Sequence, residues 1–97
     1  MTLNEILQDI HAMKEDMLMY ERKYGVLTET FYESYMNGEE PLDDAWVLDW
    51  GDWAGVYEIW LRRRQQYNDF ILVLKANEPL STVIGRTARR ESISIPA

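Results

Sequence analysis

Residue types that commonly carry out chemistry are sparse in this chain. It has no cysteine and one histidine, His11, which lies four residues before Glu15. On a helix that spacing brings two side chains to one face, where they could bind one metal ion. No second histidine completes such a site, and no serine has a sequence context that supplies a base. We therefore interpret His11 as a solvated side chain and predict no metal, no other cofactor and no enzymatic activity.

Carboxylates are abundant, but their spacing favours solvation over coordination. Asp9 and Asp16 lie seven residues apart, and no matching acid pair lies on the helix face that carries the tryptophans. Residues 39–44 hold four acids in six positions. This segment lacks the alternating oxygen ligands, central glycine and final glutamate of a calcium loop. We interpret its acids as helix-capping and solubilising groups, with a weak cation site as the alternative.

Four tryptophans recur at helical spacing and could form a box for a ligand or cofactor. They are Trp46, Trp50, Trp53 and Trp60. Large apolar side chains repeated every three or four residues share one helix face, so we predict that they form a core seam. Tryptophan is also common at the centre of protein interfaces, and binding a partner is the alternative role for part of this seam.

The charge is distributed unevenly along the chain. Residues 1–60 contain 14 acidic and 3 basic residues, whereas residues 61–97 contain 3 acidic and 7 basic residues. The acidic body repels phosphates, which predicts no nucleic-acid binding by it and favours a basic protein as partner. Arginines 62–64 could form a small phosphate patch, but we interpret them as neutralising Glu5 and Asp9 on a neighbouring helix.

The chain has no segment that is typical of a membrane span. Its longest apolar run, residues 70–74, is far shorter than the roughly 20 residues that cross a bilayer. Its N-terminal residues lack a basic region and carry Glu5 and Asp9 within the apolar pattern, so we expect no signal peptide there. We therefore expect no membrane partner and a cytoplasmic location.

The first helix is predicted over residues 3–24. Thr2 and Glu5 have the spacing of a capping box, and Gly25 suits a left-handed C-terminal cap. Between them, apolar residues recur at alternating spacings of three and four, which is a heptad seam. The seam consists of Leu3, Ile6, Ile10, Met13, Met17, Tyr20 and Tyr24.

Two more helices are predicted, over residues 29–37 and 44–76. Thr28 is the expected N-cap of the shorter helix, and Asn77-Glu78-Pro79 ends the longer one. Residues 1–77 then form one helical domain, and residues 78–97 form an extended, largely irregular tail. Within that tail, residues 92–95 alternate like a short strand without an obvious pairing partner.

The two long helices predict an all-α fold: an antiparallel helical hairpin with a short intervening helix, assembling into a helical-bundle dimer. Placing Tyr24 opposite Trp46 pairs Tyr20 with Trp50 and, at the far end, Leu3 with Tyr67. Because Leu3 is the first residue of the first helix, that helix has no residue left to pair with residues 70–74, which overhang without an intramolecular partner. A second chain could cover them, or the tail could fold back over them.

A second stripe lies opposite the tryptophan seam on the longest helix. It consists of Leu48, Gly51, Gly55 and Ile59. Interior glycines cost about 1 kcal/mol each relative to alanine but permit close helix approach. Three interpretations remain open: the short helix packs there, two copies of the long helix meet there, or the glycines are merely tolerated. With the overhang, the predicted partner or dimer interface comprises Leu48, Gly51, Gly55, Ile59, Phe70, Ile71 and Leu74.

Several motifs within about residues 2–67 resemble a family of short, acidic, helical prokaryotic proteins. The motifs are Lys23-Tyr24-Gly25, Thr28-Glu29-x-Phe31-Tyr32, Gly38-Glu39, Asp43-Asp44 and Trp50-x-x-Trp53-Ala54-x-x-Tyr57. Members of that family are often described as uncharacterised or as antitoxin-like partners of a small toxin. The resemblance implies a helical fold and supplies no catalytic residues, and the tail after residue 77 departs from the pattern.

These observations predict a non-enzymatic protein–protein interaction module. The leading hypothesis is an antitoxin-like protein that dimerises and binds, and thereby neutralises, a small basic toxin-like protein. The alternative is a structural or regulatory adaptor that forms a homodimeric helical bundle without a toxin partner.

Overall fold

A computed structural model describes residues 1–94, and within them the fold is all-α, as predicted. The elements are α1 (Leu3–Tyr24), α2 (Thr28–Met36), a 3₁₀ turn (Asp44–Trp46), α3 (Val47–Asn77) and α4 (Leu80–Ala88). The described residues form an elongated body of 51 × 23 × 20 Å.

Local capping defines both ends of α1, and its predicted bounds are confirmed. The Thr2 hydroxyl accepts a hydrogen bond from the Glu5 backbone N–H at 3.2 Å, and the Glu5 carboxylate accepts one from the Thr2 backbone N–H at 3.1 Å. At the other end, Gly25 has φ +79° and donates its N–H to the Glu21 carbonyl at 2.8 Å. Glycine takes this left-handed conformation without steric cost.

Helices α1 and α3 lie along each other in opposite directions. The Lys23 ammonium, near the end of α1, is 2.6 Å from the Asp49 carboxylate, near the start of α3. The Asp9 carboxylate, in the first half of α1, is 3.0 Å from the Arg63 guanidinium. This second ion pair confirms the predicted contact of the arginine run with Asp9, through Arg63, whereas no ion pair among residues 1–94 reaches Glu5.

The predicted register between these helices holds at its starting pair, where Tyr24 meets Trp46 edge to face with ring centroids 5.8 Å apart, but other contacts are shifted along α3. Tyr20 stacks on Trp53 with ring centroids 5.7 Å apart, where the sequence pairing placed Trp50. Leu3 shares a buried cluster with Phe70, and Tyr67, which the pairing placed opposite Leu3, packs against the same cluster. That pairing counted Cα positions, but helical side chains lean towards their own N-terminus. In an antiparallel pair, the side chains that meet therefore belong to residues farther along the partner helix.

The C-terminal segment is not an extended, largely irregular tail. Residues 80–88 form α4, which follows Pro79 and returns towards the end of α3. Val83 of α4 and Ile93 beyond it are buried in the terminal cluster, which consists of Leu3, Phe70, Val83 and Ile93. Residues 95–97, including the last residue of the predicted strand-like segment, lie outside the described part of the chain.

Of the two covers left open for residues 70–74, the structure shows the second, because the tail folds back over part of this segment. Phe70 is 3% exposed, and Ile71 and Leu74 are partly buried against the terminal cluster. Leu72 and Val73 stay 68% and 46% exposed. The first residue of α1 also contributes, because the Leu3 N–H donates to the Ile93 carbonyl at 2.9 Å.

Candidate functional site

The middle of the molecule is organised around Trp53. This residue is fully buried in the central cluster, which consists of Met17, Tyr20, Phe31, Trp53 and Ala54. Its ring lies parallel to that of Phe31, with centroids 3.8 Å apart and an interplanar angle of 2°. The sequence prediction that the tryptophan seam forms core is therefore confirmed at this position.

Thr28 links the three helices that meet at Trp53. The Trp53 indole N–H donates to the Thr28 hydroxyl at 2.9 Å, and that hydroxyl donates to the Glu21 carboxylate at 2.8 Å. The same carboxylate accepts the Thr28 backbone N–H at 2.9 Å. The prediction of Thr28 as N-cap is wrong, because Thr28 is the first residue of α2 and Glu21 caps its N–H from α1.

A second polar link joins the end of α1 to the start of α3. Asp49 accepts hydrogen bonds from the Lys23 ammonium at 2.6 Å and from the Tyr24 hydroxyl at 2.7 Å. These two donors, Lys23 first, lower the pKa of the Asp49 carboxyl, and the Asp49 hydrogen bond raises the pKa of Lys23. Burial, then the bond to Asp49, raises the pKa of the Tyr24 hydroxyl. Each shift stabilises the form that the group already has at neutral pH, which is the ionised carboxylate of Asp49 and the protonated forms of Lys23 and Tyr24.

The stripe predicted to bind a partner remains uncovered. We call Leu48, Gly51, Gly55 and Ile59 the outer face of α3. Leu48 is 80% exposed and Ile59 is 39% exposed. A Cβ atom added to Gly51 or Gly55 would have no neighbouring atom within 4 Å. The interpretation that the short helix packs on these glycines is therefore wrong, and α2 instead contacts α3 through Phe31 and Tyr32.

The remaining members of the predicted interface are mostly occupied within the chain. Phe70 is buried, and Ile71 and Leu74 are partly covered by the terminal cluster. The structure therefore separates the predicted set into two regions. Among the residues of that predicted set, Leu48 and Ile59 on the outer face of α3 are exposed, whereas the three near the end of α3 are wholly or partly buried.

Two grooves were not predicted from the sequence. The aromatic groove, about 430 Å³, lies where the α1–α2 turn meets the start of α3. It is lined by Lys23, Tyr24, Val26, Thr30, Phe31, Ser34, Glu39, Trp46, Trp50 and Trp53. The terminal groove, about 520 Å³, lies between α1, α3 and α4 and is lined mainly by apolar side chains such as Leu7, Ile71 and Ile84. The motif Lys23-Tyr24-Gly25 and the loop residue Glu39 were visible signals for the first groove, but only the packing brings them to the tryptophans.

The other candidate residues do not assemble into a chemical site. His11 is exposed, and residues 1–94 contain no group of three or more histidine or acidic side chains placed to hold a metal ion. No helix within this described range is both long enough and apolar enough to cross a membrane. No protein-family model, curated protein or solved structure matches the chain.

Proposed function

We propose that this protein is a non-enzymatic, cytoplasmic protein–protein interaction module, antitoxin-like in that it binds and neutralises a small basic protein. The observation that carries the proposal is the outer face of α3, where Leu48 is 80% exposed beside two glycines that the chain's own packing does not require. This face is the docking surface.

The two glycines support close approach by another backbone. Gly51 and Gly55 lie inside α3, where each costs about 1 kcal/mol relative to alanine. Space for a methyl group is open at both positions. A partner that packs directly on the helix backbone gives these residues a role that the isolated chain does not.

The charge around this face favours a basic partner. Residues 1–60 carry 14 acidic and 3 basic residues, a net charge of −11. The carboxylates of Asp43, Asp44 and Asp52 are exposed around the first turns of α3. Opposite charge on a partner increases the rate of encounter and disfavours acidic competitors.

Co-purification tests the proposal with one variant and one matched control. The tagged chain is expressed with the untagged product of the adjacent gene. Leu48→Asp should abolish retention of a small basic partner, whereas Leu42→Asp should leave it unchanged. Both leucines are highly exposed, at 80% and 98%, so neither substitution disturbs the core. Equal retention by the two variants would contradict the assignment of the outer face.

The second candidate function is a homodimeric adaptor that uses the same face. In a two-fold antiparallel contact centred between Trp53 and Ala54, Leu48 would lie opposite Ile59. The arginine at position 62 would then lie near Asp44 of the other copy, which favours self-association by charge as well as by shape. Light scattering should then give twice the 11.5 kDa mass of one chain at micromolar concentration. A mass of one chain would reject this candidate and leave the basic-partner proposal standing.

A glycine substitution separates both candidates from the interpretation that the glycines are merely tolerated. Gly55→Ala should raise the free energy of unfolding of the isolated chain by about 0.5–1 kcal/mol, because alanine has less conformational entropy to lose. The added methyl group should also weaken partner binding or dimerisation. Higher stability with unchanged binding would show that the glycine has no interface role.

A further inference from the structure

The aromatic groove combines ring faces with uncompensated negative charge. Tyr24, Phe31, Trp46, Trp50 and Trp53 all contribute to its lining. The tyrosine and the first tryptophan meet edge to face, with centroids 5.8 Å apart, and both line the groove at the start of α3. The groove therefore offers an electron-rich aromatic wall rather than an aliphatic one.

The molecule already holds one of its own cations on this wall. The Lys23 ammonium lies 5.5 Å from the centroid of the Tyr24 ring and 2.6 Å from the Asp49 carboxylate. The attraction between a cation and a ring face is strongest for tryptophan. Because the Lys23 ammonium is already paired with the Asp49 carboxylate, a second cation in the groove would need another carboxylate.

Glu39 provides that carboxylate. It lines the groove, is exposed, and has no ion-pair partner among residues 1–94. Glu40, Asp43 and Asp44 follow on the same loop and are also exposed. The loop therefore adds negative potential at the rim of the groove, where it would attract a positively charged side chain.

We propose that the aromatic groove receives an arginine side chain of the basic partner, an inference that rests on the proposed function for the sign of the partner's charge. The guanidinium group stacks on the face of Trp46 and donates hydrogen bonds to the Glu39 carboxylate. Arginine fits this combination better than lysine, because its planar group can stack and can bind a carboxylate through two N–H groups. A neutral apolar side chain could pack on the aromatic rings but could not form an ion pair with the Glu39 carboxylate.

Nuclear magnetic resonance with a small peptide tests the groove without the partner. The probe is acetyl-Gly-Arg-Gly-amide, and the control peptide carries citrulline, a neutral isostere, in place of arginine. The arginine peptide should shift the indole N–H signals of Trp46 and Trp50 but not that of Trp60, which lies outside the groove. It should bind about tenfold more tightly than the citrulline peptide, as a cation–π contact and an exposed ion pair together predict.

A pair of adjacent glutamates provides matched variants. Glu39→Gln should weaken binding of the arginine peptide about three- to tenfold, whereas Glu40→Gln should change it less than twofold. The two substitutions remove the same charge from exposed positions on one loop, but only Glu39 lines the groove. Equal effects of the two variants, equal binding of the two peptides, or an equal shift of the Trp60 signal would overturn the proposal.

These outcomes are independent of the test of the outer face. If the adjacent gene product is retained by the Glu39→Gln variant as by the wild type, the groove proposal fails and the proposed function stands. If the arginine peptide binds at the groove but no partner is retained by any variant, the proposed function fails and the groove remains a guanidinium site.

Discussion

The central cluster and the terminal cluster bury apolar surface in different ways. The central cluster stacks aromatic rings from three helices and fixes their orientation with the hydrogen-bonded chain of Trp53, Thr28 and Glu21. The terminal cluster brings together single side chains from α1, α3, α4 and the segment after α4. A polar link in this cluster is the Leu3–Ile93 backbone hydrogen bond, which belongs to an isolated antiparallel bridge between Thr2 and Ser94.

This difference shows how a short chain completes its core. Residues with strong helical periodicity and matching aromatic surfaces build the centre. The end of the molecule where α1 begins and α3 finishes is closed by α4 and the residues after it, whose apolar periodicity is too short to predict a helix. Because the terminal cluster joins parts of the chain that are far apart in sequence, we expect it to open before the central cluster does.

The largest expected effect is the loss of the central aromatic ring. Trp53→Ala removes a fully buried side chain that stacks on Phe31 and Tyr20, and it should lower the free energy of unfolding by about 3–5 kcal/mol. His11→Ala, at an exposed position on α1, should cost almost nothing. Urea denaturation of the two variants measures both values. The reverse order would contradict the central position of Trp53.

The hydrogen-bonded chain in the central cluster should contribute less than the ring itself. Thr28→Val keeps the shape of the side chain but leaves the buried Trp53 indole N–H without an acceptor, which should cost about 1–3 kcal/mol. Thr30→Val, at an exposed position on the same helix, is the matched control and should stay within about 0.5 kcal/mol of wild type. Similar costs for the two substitutions would show that the link to Glu21 and Trp53 adds no stability.

The terminal cluster should be weaker, and its loss should be local. Val83→Ala should lower the free energy of unfolding by about 1–2 kcal/mol, because Val83 is 3% exposed. Its neighbour Ile84 is 57% exposed, so Ile84→Ala should have little effect. Hydrogen exchange should show loss of protection in α4 with the central helices unchanged. Loss of protection throughout the molecule would show that the two clusters unfold as one unit.

The smallest effect concerns the charged link between α1 and α3. Asp49 has a pKa below its ordinary value of 3.8, so its ionised form stabilises the folded state above that pH and this stabilisation is lost as the pH falls through the lowered pKa. The difference in stability between wild type and Asp49→Asn should therefore be present at pH 7 and disappear in strong acid. Urea denaturation across this pH range measures it.

A second aspartate controls for the general effect of removing negative charge. Asp52 is exposed and has no ion-pair partner among residues 1–94, so Asp52→Asn should not reproduce the acid-dependent loss. The same pH profile for both variants would attribute the effect to overall charge rather than to the contact with Lys23.

Much of the local structure could be predicted because it depends on residues close in sequence. The capping box of Thr2 and Glu5, the Gly25 terminator and the bounds of α1 follow from hydrogen bonds that span a few residues. The tryptophan periodicity likewise predicted a long helix with an apolar seam. The shorter α2 was predicted to within one residue at each end, although the role of Thr28 was not.

The candidate site was predicted only in part. Sequence spacing predicted the apolar stripe on the outer face of α3, which the structure leaves exposed, but it also assigned Phe70 to the interface, and the structure buries Phe70 under α4. The aromatic groove was not predicted, because Glu39, Tyr24 and Trp46 belong to three different segments. Spacing within one helix carries no information about which loops will lie against it.

The sequence by itself determined where the chain becomes helical, where α1 is capped and which side of the tryptophan helix enters the core. Tertiary structure alone decided the register of α1 on α3, the return of α4 over Phe70 and the position of Thr28 between Glu21 and Trp53. The physical reason is the range of the interactions involved. Caps and helical periodicity act within a few residues, whereas register and coverage depend on the shapes of side chains that meet only after the chain has folded.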